Sequence, residues 1–294
     1  QMPYATGALL RDGSPVKYDS GNYHSCLEKA LVLADRASFR DRQNAARDEG
    51  RYIGMGISSY VEDTGLGPYE GTTVRVQPNG KVLVRSGSAS QGQGHHTFIA
   101  QIVADTLEVG MEDIVFESGD TGKFPHGVGT IGSRIAANVG PSAYEAANAV
   151  KDKAIKLASE TLEAAEQDLE LSSGKVQVKG IEDLSVSLGD LARTLSPKAG
   201  GKVPSGFTPS LEATSYKGSN GSPFASGTNV AEVEVDIFTG NVKLINYSVA
   251  HDCGTIINPK IVDGQIIGGV VHGIGNALFE RMIYSEGGQP LTNT

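Results

Sequence analysis

At 294 residues the chain is long enough for one large domain or two modest ones with a sizeable core. Hydrophobic residues make up 39% and charged residues 20%, and the net charge of −9 comes without a basic stripe, so a soluble globular protein with a small-molecule ligand is expected and no nucleic-acid partner. Cys26 and Cys253 form neither a disulfide framework nor a zinc pattern and fit a reducing cytoplasm; no signal peptide is visible at the start, and the apolar run 266–278 is too short and too glycine-interrupted for a membrane span.

In chain order, residues 1–20 read as an extended arm. Helical periodicity covers 22–34, and a charged helix over 38–48 stops at Gly50. Residues 52–61 are strand-like, and strands over 72–76 and 82–86 flank Pro78-Asn79-Gly80, a strong hairpin turn. The segment Ser90-Gln91-Gly92-Gln93-Gly94-His95-His96-Thr97 follows, at the mouth of a helix with the apolar face Phe98, Ile99, Ile102, Val103 and Leu107. A short strand over 114–117 leads into Gly119-Asp120-Thr121. Residues 124–140 are glycine-rich and read as a loop, with Pro141 in the first turn of a long helix reaching Leu162. A hairpin over 169–179 turns at Ser173-Gly174, and Ser187 caps a short helix over 188–195. Residues 197–206, rich in Pro, Gly, Lys and Ser, mark a linker. A strand over 230–236 turns at 238–241 and returns over 242–250; a glycine-spaced helix then runs from Asn258-Pro259 to about Met282. Hairpins packed with helices make an α+β fold, divided into a first domain over 1–196 and a second over 207–294.

Glycine is in excess: 38 of 294 residues, about 13%, against a typical ~7%. In 90–97 the glutamine amides donate and accept, the glycines admit a ligand to the backbone, and the helix mouth attracts anions. That suits a polar, phosphorylated cofactor; it equally suits a loop rich in helix-capping residues. Standard nucleotide motifs fail. Gly119 to Lys123 is followed by Phe124 in place of the hydroxyl a P-loop needs, and no third glycine completes a dinucleotide fingerprint at Gly54 or Gly273. Asp120 reads as a turn residue, more weakly as a hydrolase nucleophile. His95 and His96 diverge by roughly 100° around a helix and lack carboxylate or cysteine partners, so no direct protein metal ligands are expected. Thr130-Ile131-Gly132-Ser133-Arg134 reads as a loop before a capped helix, or as an anion cradle in which Gly132 allows close approach, Ser133 donates and Arg134 clamps phosphate. Along 263–275 each helical glycine costs up to ~1 kcal/mol relative to alanine. Close helix packing accounts for that cost, and so does a ligand on the face shared by Gln265 and His272.

The order and wording of three motifs resemble the molybdenum-binding large subunit of the xanthine oxidase, aldehyde oxidoreductase and carbon monoxide dehydrogenase family. They are Gln-Gly-Gln-Gly-His-x-Thr from Gln91, Gly-Asp-Thr-x-x-x-Pro-x-Gly-x-Gly-Thr-x-Gly-Ser-Arg from Gly119, and His-Asp-Cys-Gly-x-x-Ile-Asn-Pro-x-x-Val-Asp-Gly-Gln-x-x-Gly-Gly from His251. Segments 18–23 and 60–71 resemble it too, so the likeness spans essentially the whole chain.

The resemblance implies the family's molybdopterin-binding fold and a molybdopterin cofactor, in bacteria usually the cytosine dinucleotide, whose dithiolene holds the molybdenum. By motif position Gln91, Gly92, Gln93, Gly94, His95 and Thr97 would bind pterin or pyrophosphate, and Thr130, Ile131, Gly132, Ser133 and Arg134 would approach the metal and phosphates. Cys253, Asn258, Gln265 and His272 would hold the cofactor from the far side, and Glu62, Asp63 and Thr64 would line the substrate pocket. The family's base glutamate, in a Gly-x-Gly-Glu segment, is not in this chain, nor is its Gly-Gly-Gly-Phe-Gly loop. The chain is therefore expected to be a middle portion or split subunit of a molybdenum-dependent oxidoreductase, without catalytic residues or turnover of its own. Its expected partners are the N-terminal and glutamate-bearing remainder of the subunit, a 2Fe-2S subunit, an FAD subunit and a small-molecule substrate. The alternative is a folded structural fragment that carries no cofactor.

Overall fold

The computed structural model describes residues 4–9, 13–196, 201–219, 221 and 223–292. Its elements are β1 (Tyr4–Leu9), β2 (Pro15–Tyr18), α1 (Tyr23–Leu33), α2 (Phe39–Asp48), β3 (Tyr52–Asp63), β4 (Glu70–Val76), β5 (Val82–Ser86), α3 (His95–Leu107), β6 (Ile114–Ser118), α4 (Ile135–Leu162), β7 (Leu169–Ser172), β8 (Lys175–Val178), β9 (Ile181–Ser187), α5 (Leu188–Thr194), β10 (Leu211–Lys217), β11 (Phe224–Val235), β12 (Val242–Asp252) and α6 (Pro259–Leu278). The fold is α+β, as expected. Two compact units form, one of Asp63–Pro223 and one of Gln1–Glu62 with Phe224–Thr294.

The Asp63–Pro223 unit is built on a sheet of order β10-β4-β5-β6. The β4–β5 hairpin closes where the sequence places it: Gln77 N–H donates to the Lys81 carbonyl at 2.8 Å across the Pro78-Asn79-Gly80 turn. β6 runs parallel to β5. A parallel neighbour requires a crossover, which α3 supplies while burying Ile99, Val103 and Leu107. β4 and β5 bury Val74, Val76, Val82 and Val84, and α4 buries Ala143, Ala146, Ala147, Val150 and Ala154. Each fully buried valine is worth about 1.5–3 kcal/mol relative to exposure, and the small alanines let α4 lie close to β4 and β10. At the other end the layer turns polar: Glu70, Thr72, Ser86, Arg134, Asn138 and Ser142 are all buried. A second antiparallel sheet, β7-β8-β9, precedes α5, whose cap is Ser187 accepting the Asp190 N–H at 3.0 Å.

The other unit carries a sheet of order β12-β11-β3. α1 is capped by Asn22, which accepts the Ser25 N–H at 3.1 Å, and its Ala30, with Ala34 just past its end, packs on Val230 with Met55 and Ala250 beside them. Arg42 of α2 grips Glu232 with two bonds, at 2.5 and 3.0 Å. Asn258 caps α6, accepting the Ile261 N–H at 3.1 Å, and no residue of α6 is buried.

Several expectations are corrected. Within the arm expected at 1–20, the described strands β1 and β2 pair antiparallel, with Tyr4 opposite Tyr18. The division expected at 197–206 is not where compactness divides the chain: β3 joins the sheet of β11 and β12, so the break falls after Glu62 and before Phe224. Residues 197–200 of that linker lie outside the described residues. α4 starts at Ile135, leaving Pro141 inside it. Two turns form ahead of the proline because Arg134 and Asn138 are pinned in the interior, a tertiary cause that periodicity does not carry. β9 and β10 were not anticipated, and α6 ends at Leu278, short of Met282.

Candidate functional site

In the Asp63–Pro223 unit the loops 87–94 and 119–134 leave the carboxyl ends of the parallel strands β5 and β6, where open sheets bind ligands. Each loop runs into a helix N-terminus, that of α3 or α4, where backbone N–H groups lack intrahelical partners. The two loops are joined main chain to main chain. A Cβ on Gly87 would lie 1.8 Å from the His126 carbonyl oxygen, and one on Gly119 would lie 2.8 Å from Ala89 Cβ. Thr130 Oγ1 donates to the Ala89 carbonyl at 2.5 Å. The segments 91–97 and 130–134, which start 39 residues apart (130 − 91), are thereby brought side by side.

Within the first loop Gln91 N–H donates to Gln93 Oε1 at 2.7 Å and Gly92 N–H to Ser90 Oγ at 3.3 Å. Gly92 and Gly129, at φ +108° and +111°, have none of the described residues within 4 Å of a built Cβ, so backbone is approachable on both loops. Gly94 caps α3 in the left-handed region at φ +74°, and Gln91 and Thr97 are exposed.

Two residues expected at the cofactor are buried. His95 is 2% exposed and packs edge-on against Phe98 at 5.9 Å. Burial, and then repulsion from His96, holds its pKa below the ordinary histidine value. Arg134 is 0% exposed, with its donors spent inside the protein: on the Leu66 carbonyl at 2.6 Å, Gly129 at 3.1 Å, Tyr69 at 3.2 Å, and the buried Glu70 carboxylate. The expected phosphate clamp is thus engaged inside the protein in this structure. Gly132 is exposed, and a Cβ there would lie 2.7 Å from Leu66 Cδ1. Ile131 and Ser133 stay exposed.

In the other unit Cys253, Gln265 and His272 are exposed, while Asn258 is engaged as the α6 cap. Among the described residues no atom lies within 4 Å of a Cβ built on Gly264, Gly268, Gly269 or Gly273 of α6. Glu62 is exposed and ends this unit's first segment; Asp63 and Thr64 belong to the other unit, where Thr64 Oγ1 donates to the Pro223 carbonyl at 2.7 Å. Sequence reasoning missed the Tyr60 OH···His251 Nδ1 bond of 2.6 Å, whose partners are 191 residues apart and carry no local signal. Burial raises the Tyr60 pKa and lowers that of His251. A cavity of about 180 Å³ lies beside them, lined by Tyr18, Tyr23, Cys26, Ser59, Tyr60 and Thr228.

Size and chemistry disagree about the site. The larger cavity, about 520 Å³, lies around Pro78–Gly80, Val109 and Ser173–Lys175, at the ends of β5 and β6 opposite the glycine loops, and contains none of the motifs. The chemistry of the loops is the better guide. Among the described residues no group of three or more His, Cys, Asp or Glu could hold a metal ion, and no helix is long and apolar enough to cross a membrane.

Residues 29–294 match the family model of the molybdopterin cofactor-binding domain. The chain is 37% identical over 291 residues to the nicotine 6-hydroxylase large subunit of Paenarthrobacter nicotinovorans, covering 95% of this chain and 36% of that one. To the carbon monoxide dehydrogenase large chain of Hydrogenophaga pseudoflava it is 34% identical over 308 residues, covering 100% of this chain and 37% of the relative. Among solved structures, quinoline 2-oxidoreductase from Pseudomonas putida 86 superposes with a TM-score of 0.85 at 35% identity, covering 98% of this chain and 38% of that one. The chain thus spans little more than a third of the length of these relatives.

Proposed function

This chain belongs to the molybdopterin cofactor-binding domain family, and from that membership we propose that it is the portion of a molybdenum hydroxylase large subunit that holds the cofactor. The observation that supports this most is the joining of two glycine loops, through Gly87 and His126, ahead of two helix N-termini. Gln91 and Gln93 offer amides that donate and accept, and Gly92 and Gly129 offer open backbone. The first turns of α3 and α4 favour a pyrophosphate's charge. These groups fit a phosphorylated pterin, in our reading the cytosine dinucleotide form.

When bound, the molybdenum–pterin group supplies two-electron oxidation of a small substrate, an aldehyde or N-heterocycle, with water as the oxygen source. This chain's residues bind and orient it. Gln91, Gly92, Gln93, Gly94 and Thr97 take pterin or pyrophosphate, and Thr130, Ile131, Gly132 and Ser133 form the adjoining wall. In the other unit Cys253, Gln265 and His272 are exposed groups suited to the pterin. Glu62, Asp63 and Thr64 are proposed substrate-pocket residues. The base glutamate, the 2Fe-2S centres and the FAD belong to other chains or to the rest of the subunit, so this chain alone turns over no substrate. The working compartment is the cytoplasm.

The test is molybdenum retention by the full chain with its partner subunits. Gln91→Ala with Gln93→Ala lowers molybdenum per chain at least about tenfold without lowering the melting temperature, since each lost charge-assisted bond is worth about 1.5–3 kcal/mol. Unchanged molybdenum content in the folded double variant would contradict this assignment.

A further inference from the structure

We propose that the buried Glu70–Arg134 pair is a positioning device that holds the 126–134 loop, and that neither residue touches a ligand. Both side chains are 0% exposed. One guanidinium ties together the carbonyls of Leu66, Tyr69 and Gly129, and so two separate loops. Glu70 Oε1 accepts from Arg134 and also from the Val128 N–H at 3.0 Å. The loop before β4 packs on the guanidinium itself: a Cβ on Gly67 would lie 3.4 Å from Arg134 Nε. Around the pair the layer is polar, with Thr72 Oγ1 and Ser142 Oγ 2.6 Å apart.

A buried ion pair gives little net stability, because desolvation offsets the attraction. The planar fork of arginine fixes geometry instead, through several donors held in one plane. What the pair contributes is therefore position: it sets the 126–134 main chain that meets Gly87 and carries Thr130 to Ala89. Glu70 and Arg134 are positioning residues, acting through the backbone they hold.

The inference rests on the cofactor reading only for the ligand that the loop serves. Hydrogen exchange of the full chain, read by mass spectrometry, tests it without the cofactor. In the unmodified chain the Val128 amide exchanges at least about a hundredfold more slowly than that of Gly92, since it is donated to a buried carboxylate. A Glu70→Leu, Arg134→Met double variant, which removes both buried charges together, keeps its circular dichroism spectrum and melting temperature. Its exchange over 126–133 rises about tenfold or more while β4 and β5 stay protected. Inorganic pyrophosphate protects 90–97 in the unmodified chain and fails to in the variant. Unchanged loop exchange in the folded double variant overturns the proposal, as does fast Val128 exchange in the unmodified chain. If the exchange pattern is as expected but pyrophosphate protects nothing in the unmodified chain, the positioning role stands and the cofactor reading falls.

Discussion

Gly87 and Gly127 meet backbone to backbone: a Cβ on Gly127 would lie 2.6 Å from the Gly87 carbonyl carbon, and one on Gly87 1.8 Å from the neighbouring His126 oxygen. The obstruction is main chain in both directions, so no rotamer change relieves it. The contact joins the loop after β5 to the loop after β6, and it makes one surface of two motifs remote in sequence.

Gly87→Ala should therefore destabilise the chain by about 1–3 kcal/mol, the usual cost of overpacking. Thermal unfolding measures it. Accelerated exchange over 126–130 should accompany the loss, and an unchanged melting temperature would show that the contact is soft.

The α6 glycines predict the opposite sign. A Cβ on Gly268 meets nothing within 4 Å among the described residues. Gly268→Ala should stabilise the chain by up to ~1 kcal/mol through helix propensity. If the glycine face serves the cofactor or the rest of the subunit, the same variant lowers molybdenum content in the assembled complex. Stabilisation with full molybdenum loading would remove any role for that glycine.

Much of this was legible in the sequence, and what was not has a physical cause. The β4–β5 and β11–β12 hairpins, the Ser187 and Asn258 caps and the α3 apolar face rest on local signals, and each lies where those signals put it. The Gln91 and Thr130 motifs were found from residue type alone, and the structure brings them together through Thr130 and Ala89. The burial of Arg134 and His95 was not legible because burial is a property of packing: nothing within a few residues tells a phosphate clamp from an interior ion pair. The start of α4 failed for the same reason, and the discontinuous unit failed because β3 pairs far along the chain.

Acid sensitivity follows from two histidines. Burial is the leading cause that lowers the pKa of both His95 and His251 from the ordinary value of 6.5. The unfolded chain then takes up protons that the folded chain refuses. Stability is full above about pH 6.5 and declines as pH falls from there through the depressed values. Unfolding midpoints measured between pH 8 and 5, taken as an order-of-magnitude window, should fall on the acid side. His95→Leu should flatten the decline. A midpoint that rises on acidification would contradict the lowered pKa of both rings.

The Arg42–Glu232 grip anchors α2 on β11, with the Glu232 side chain only 4% exposed against 39% for Arg42. Arg42→Ala leaves that carboxylate buried without its cation and should cost about 1–3 kcal/mol. Arg42→Ala with Glu232→Ala should cost less than the sum of the single variants, a coupling of about 0.5 kcal/mol or more in denaturant titrations. Strict additivity would show that the pair contributes nothing.

The central claim is that this chain holds a molybdenum–pterin cofactor. Its most direct test is elemental analysis of the full chain isolated with its partner subunits, together with chromatography of the nucleotide that acid releases. The account predicts about one molybdenum and one cytosine nucleotide per chain, the stoichiometry of a single cofactor positioned by the protein. A folded, assembled chain with neither molybdenum nor nucleotide would contradict it, leaving a structural domain that keeps the family's fold without its ligand.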